Sequence, residues 1–344
     1  MLIRQSLAGL LHADRVARGA GVSRSTVVRS PVHRGNARNA PISASRPAKS
    51  CSSFTVGAHW SDDDRLVLKV HDGVVLASDS ATTLTQTRSD GSIDVVNIYN
   101  NADKLFNLQK ALPIGAITWG LGNIGPASMS TLAKDLRHRF TSSDDDRWSV
   151  LPGSYTMQEV SRLVEEFLFD ERYEPLHRGV AAHELPSLGF LTAGYSAGAD
   201  HPQIFHLSIE GGRATSTEVL TGEAGAMWWG QPEAIARLLN GVSLDTGPAL
   251  INLGLEPSQA PTVAAQLRDQ LATRIVSPAM PIQDAVELAQ FLVYTTIQFV
   301  RFTPGNPTVG GPIDIATITK HEGFKWVARK HYYDHDLNPP QETT

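Results

Sequence analysis

The sequence predicts an α+β protein in which sheets stack and helices lie outside them, and three observations carry that prediction. Its elements come in runs (strands, two helices, strands, helices, strands), which argues against an alternating, doubly wound sheet. Two almost wholly apolar strands joined by a tight turn, Leu66 to Ala77, open the folded region. No internal repeat with a period of about 20 to 50 residues is present, which argues against solenoids and propellers.

Composition narrows the function classes. With 344 residues, 41% of them apolar, the chain has material for one large layered domain or two smaller ones. No apolar run approaches the roughly 18 residues of a membrane span. A formal charge of −5 gives no reason to expect a nucleic acid partner. The single Cys51 rules out an internal disulfide framework and a cysteine-based metal cluster, and it fits a reducing, cytoplasmic setting.

Charge is unevenly spread. Arg4, Arg15, Arg18, Arg24, Arg29, Arg34, Arg38, Arg46 and Lys49 face the single acid Asp14, with no aromatic residue among them to seed a core. Residues 1–53 therefore read as a disordered leader or upstream extension, or else as an organelle transit peptide that would make the protein mitochondrial. The folded domain is placed at 54–330 and a tail at 331–344.

Thr55 to Trp60 suggests a short extra strand and Ser61-Asp62-Asp63-Asp64 a turn or acidic linker. The hairpin follows, with Asp72-Gly73 as its turn, because glycine tolerates the positive φ of tight hairpin loops. It ends at Ser78-Asp79-Ser80, where a carboxylate closes a buried strand and charge is costly unless something uses it. Thr83 to Asp94 is polar and reads as a loop. Val95 to Tyr99, Lys104 to Leu108 and Leu112 to Trp119 read as strands, the last closed by the glycine run Gly120-Leu121-Gly122-Asn123-Ile124-Gly125.

Leu132, Leu136 and Phe140 mark a helix over 128–140, and Thr156 caps a second whose stripe is Val160, Leu163, Val164, Phe167 and Leu168. Strands return at Leu188 to Ser196, Gln203 to Ile209 and Arg213 to Leu220, the last two joined by Glu210-Gly211-Gly212. Helices follow at 232–239 and 262–275. The strongest runs over 282–301, with Ala285, Ala289, Leu292, Val293, Thr296 and Val300 on one face. Pro312 to Thr319 and Phe324 to Ala328 close the chain's strands.

Four pieces in this order carry a family resemblance: the hairpin ending DGVVLASDSATT, Lys104 in NADKLFNL, the glycines after Trp119, and VGGPIDIATI. Over about Asp63 to Lys330 the chain resembles the proteasome-type N-terminal nucleophile hydrolases, and most of all the bacterial ancestral β-subunit (Anbu) type. The resemblance implies a four-layer αββα sandwich and a threonine-type peptidase. It implies self-association into a ring or helical assembly, a peptide or unfolded protein as substrate, and no cofactor. In such a site an N-terminal threonine hydroxyl attacks and its own α-amine, with an ordinary pKa of about 7.7–8.0, takes the proton.

By position Asp79 matches the family aspartate, Lys104 the lysine it pairs, and Gly120, with Gly122 as alternative, the backbone N–H that stabilises the oxyanion. Taken singly each has an ordinary reading: Asp79 as a turn cap, Lys104 as a solvated strand-end lysine, the glycines as a strand-to-helix turn.

Departures from the family pattern are equally specific. Counting back from Asp72-Gly73, the nucleophile's position falls on Asp63, which cannot act as an autoprocessed acyl-transfer hydroxyl. Thr55 lies eight residues too early and follows Phe54 in place of glycine. Ala81 stands where an arginine commonly follows the Asp-Ser pair. The loop Phe302 to Gly311 carries no carboxylate, with Thr308 available to supply a hydroxyl, and Gln231 stands near the expected serine.

Other chemistry is sparse. His331 and His335 would share a face if helical, with Asp334 and Asp336 nearby, although a solvated tail beside Asn338-Pro339-Pro340 explains them as well. The glycine run has no acidic residue twenty positions on in a βαβ unit, so a dinucleotide site is not expected.

Overall fold

The computed structural model describes residues 64–87, 93–142 and 145–330. These form a mixed α+β structure with antiparallel sheets. The opening hairpin is β1 (Asp64–Val70) and β2 (Gly73–Ser78), buried at every residue. Its loop is His71-Asp72, not Asp72-Gly73, since Gly73 already pairs with Val70. Glycine is needed there for space: a Cβ would stand 2.4 Å from the Ile318 carbonyl oxygen.

Two strands follow as a separate ribbon, β3 (Thr82–Thr87) and β4 (Ile93–Tyr99). The loop expected over 83–94 is thus partly strand. Its inward positions are Thr83 and Thr85, so the period of two is written in β-branched threonine and escapes an apolar count. Next come β5 (Leu105–Gln109), β6 (Ile114–Gly120) and the two-residue strands β7 (Asn123–Ile124) and β8 (Ala127–Ser128). Helix α1 (Met129–Thr141) is capped by the Ser128 hydroxyl, which accepts from the Thr131 N–H at 3.2 Å.

Helix α2 (Met157–Glu165) begins in the expected capping box. The Glu159 N–H donates to Thr156 Oγ1 at 3.2 Å and the Thr156 N–H to Glu159 Oε2 at 2.9 Å. It runs on through a π-helical stretch, Glu166–Tyr173, into α3 (Glu174–His177). Strands β9 (Leu188–Gly194), β10 (Gln203–Glu210), β11 (Arg213–Val219) and β12 (Gly225–Gly230) come next. Then follow α4 (Glu233–Ile235), α5 (Thr246–Asn252), α6 (Ala260–Leu271), α7 (Ile282–Phe302), β13 (Asp314–Thr319) and β14 (Gly323–Ala328).

Strand β12 and helix α5 are among the elements the sequence did not announce. No element was expected at β12, yet Ala226 and Trp228 pack on one face and Met227 and Trp229 on the other. Helix α5 buries none of its residues, so no apolar period announces it.

One five-stranded sheet has the order β12-β1-β2-β13-β14 and the other β11-β10-β9-β6-β5. Three cores follow from strict alternation along their strands. Leu66, Leu68, Val75, Ala77 and Ile315 pack with the α7 face Ala285, Ala289, Leu292 and Val293. Ile114, Ala116, Phe190 and Leu207 pack with Leu132 and Leu136 of α1 and Val160 and Val164 of α2. Val67, Leu76 and Ala316 of the first sheet meet Ile117, Leu191 and Ile204 of the second in a shared core. Strands covered on both faces lose the polar alternation of a half-exposed sheet, which is why β1 and β2 read as apolar runs. Each buried Val, Leu, Ile or Phe in these cores contributes about 1.5–3 kcal/mol on burial.

Candidate active site

The end of β2 places Asp79 in the interior, fully buried, with donors on both carboxylate oxygens. Oδ1 accepts from Lys104 Nζ at 2.8 Å, Arg65 Nη1 at 3.1 Å and the Asp64 N–H at 3.2 Å. Oδ2 accepts from the Ala81 and Gly310 N–H groups, each at 3.0 Å. Asp79 and Lys104, 25 positions apart in sequence, thus meet as a buried ion pair. The turn-cap role is also real, since the Ala81 contact is an aspartate bonding the backbone two residues on.

Arg65 is the residue that sequence reasoning passed over. It lies on the inter-sheet side of β1, 1% exposed, and besides Asp79 it donates through Nε to the Thr118 carbonyl at 2.5 Å and through Nη1 to the Asp64 carbonyl at 3.1 Å. A guanidinium from β1 therefore stands beside Asp79 although position 81 is alanine. An arginine amid DRLVLKV, where every other inward position is apolar or lysine, was the available signal.

Arg65, Lys104, Thr118, Trp119, Gly120 and Gly122 all line one cleft of about 450 Å³. Gly120 ends β6 with φ +80, and a Cβ on it would lie 2.6 Å from the Ser187 carbonyl oxygen, so the turn accepts only glycine. Trp119 closes one wall, stacked on Trp229 of the facing sheet at 4.6 Å and on His206 at 5.0 Å. Burial lowers the pKa of His206, keeping that ring neutral more readily than a free histidine.

Behind Asp79 lies a second buried charge cluster that the sequence did not announce. Lys330 Nζ donates to Asp314, and to Ser80 Oγ at 3.0 Å, and lies 3.5 Å from Asp103. Ser80 in turn donates to the Pro312 carbonyl at 2.7 Å. The motif VGGPID thus acts at both clusters, Gly310 on Asp79 and Asp314 on Lys330. Thr308 and Gln231 line a different cleft, of about 270 Å³, with Phe299 and Val300.

Asp64, read as linker, is instead the fully buried first residue of β1. Its carboxyl oxygens make no hydrogen bond of ordinary geometry with a described residue. The neighbouring Thr296 hydroxyl favours the charged form but directs its proton to the Leu292 carbonyl at 3.2 Å. Burial first, then the Asp79 charge, hold the Asp64 carboxyl well above the usual aspartate range, outweighing Thr296, Arg65 and Lys104.

A carboxyl raised in the native state binds its proton more tightly there than in the unfolded chain. Its contribution to stability is full below the unfolded pKa of about 3.9 and declines as pH rises from there toward the native value. Asp64→Asn is expected to remove that decline and to be at least as stable as the parent at neutral pH. Urea midpoints measured across about pH 4 to 8 check this, and a variant retaining the parental slope contradicts it.

Asp63, Thr55, His331 and His335 lie outside the described residues. Among the described residues no three His, Cys, Asp or Glu side chains cluster as metal ligands, and no helix is long and apolar enough to cross a membrane. No family model matches the chain, and a search of curated proteins also gives no match.

Proposed function

We propose that the chain is a proteasome-like subunit of the N-terminal nucleophile hydrolase type, with the four-layer αββα sandwich of that class and a cleft built for threonine-type peptide-bond hydrolysis. The observation that carries this reading is the buried Asp79–Lys104 pair, 2.8 Å apart, opening onto the cleft that Gly120 lines. A shared core between two sheets, with helices on the outer face of each, supports the layered class.

In this reading Asp79 fixes the Lys104 ammonium beside the attacking hydroxyl, where its charge favours the alkoxide. The Gly120 N–H stabilises the oxyanion of the tetrahedral intermediate, and self-association into a ring or helical assembly in the cytoplasm encloses the peptide substrate.

A second reading is favoured by Asp63 at the nucleophile's position: a non-catalytic subunit of the same assembly, in which the charge cluster holds the fold together. Turnover of fluorogenic peptides, with the protein's N-terminus read by mass spectrometry, separates the two. A free terminal threonine with turnover lost in Lys104→Ala supports the peptidase, and silence in every form supports the structural subunit.

A further inference from the structure

We propose a second ligand site, separate from the cleft that Lys104 lines: a notch that binds the phosphate group of a small phosphomonoester. It is formed by residues of β5, α1 and the end of β14, and has a volume of about 60 Å³. A single water needs about 10–15 Å³, so the notch admits a group the size of a small oxyanion.

Its chemistry is cationic. Lys134 and Arg137, one turn apart on α1, and Arg329, just past β14, all line it. None of the three forms an ion pair with a described residue. The Arg329 guanidinium lies over the Trp326 ring, 4.7 Å from its centroid, which limits its freedom before any ligand arrives. Two planar arginine forks and an ammonium suit a tetrahedral anion better than a single negative charge.

The neutral groups point the same way. Asn107 lines the notch, and its carboxamide oxygen is buried without a donor among the described residues. Inorganic hydrogenphosphate, and the singly protonated form of a phosphomonoester, whose second pKa is about 6, carry an O–H able to satisfy such an acceptor, whereas a carboxylate at neutral pH carries none. Asp103 is the one acidic residue lining the notch. Its charge is engaged by Lys330 at 3.5 Å and by the Ser130 hydroxyl at 3.1 Å. Asp103 and Ser130 also line the cleft that holds Lys104, so they form a common wall between the two sites.

The test is calorimetric titration of the full chain with inorganic phosphate at constant ionic strength, with chloride and acetate as controls. Saturable binding of phosphate alone is expected, weakened about tenfold or more in Arg137→Ala/Arg329→Ala, since each lost charged hydrogen bond is worth about a factor of ten. A response to chloride or acetate equal to that to phosphate overturns the proposal, as does a double variant that binds like the parent. If the double variant does not fold, Lys134→Gln, at an exposed position, is held to the same criterion. Glycerol 3-phosphate and adenosine monophosphate then compete with phosphate. Displacement by either supports a phosphomonoester site and tells which carrier it takes, and displacement by neither overturns it.

Discussion

Asp79→Ala is expected to lower the unfolding free energy by about 3–5 kcal/mol, the loss typical of breaking a buried ion cluster from one side. The carboxylate is fully buried and serves five donors, two of them the cations Arg65 and Lys104. Removing it leaves two positive charges facing one another with the desolvation cost of both still standing, and strips the backbone N–H groups of Ala81 and Gly310 of their acceptor.

Urea denaturation of the parent and variant measures the difference. Adding Arg65→Met and Lys104→Met to Asp79→Ala is expected to recover much of it, because an apolar replacement of a whole buried cluster is often neutral or better. A single-variant cost below about 1 kcal/mol, the range of exposed pairs, would mean that water reaches the cluster and that its interior placement is not what the fold depends on.

The second large effect concerns rate. A chain beginning at residue 63 and carrying Asp63→Thr gains both the hydroxyl and the adjacent α-amine that the proposed chemistry needs. Loss of a nucleophile typically removes about a millionfold in turnover, so its installation is expected to raise peptide hydrolysis from background by several orders of magnitude. Part of that range remains out of reach if Arg65, which lines the cleft, crowds the substrate. Lys104→Ala in the same background is expected to return the rate to background. A threonine variant that folds normally and stays silent would refute the reading of the cleft as a peptidase site.

Much of this arrangement is legible in the sequence because it rests on local patterns. The hairpin, the capped helix at Thr156 and the long amphipathic helix follow from alternation, a capping box and a helical stripe. What escaped obeys rules that act only at a distance. Strand β12 is defined by its pairing with β1, where Trp229 stands opposite Arg65, and Asp64 looks like an exposed linker acid until that pairing closes over it.

The candidate site divides in the same way. Asp79 was signalled by an apolar strand ending in charge and Lys104 by its place in the order of the family-like pieces, whereas Ser80, Asp314 and Lys330 acquire meaning only through contacts spanning up to 250 residues. Sequence spacing carries no information about such encounters.

The indole pair formed by Trp119 and Trp229 belongs to both sheets at once, with the His206 imidazole against each ring. Its emission is therefore an intrinsic optical gauge of how far the two sheets stand apart. Partial opening of the molecule, even with each sheet intact and circular dichroism unaltered, would register in the fluorescence of the native chain without any added dye.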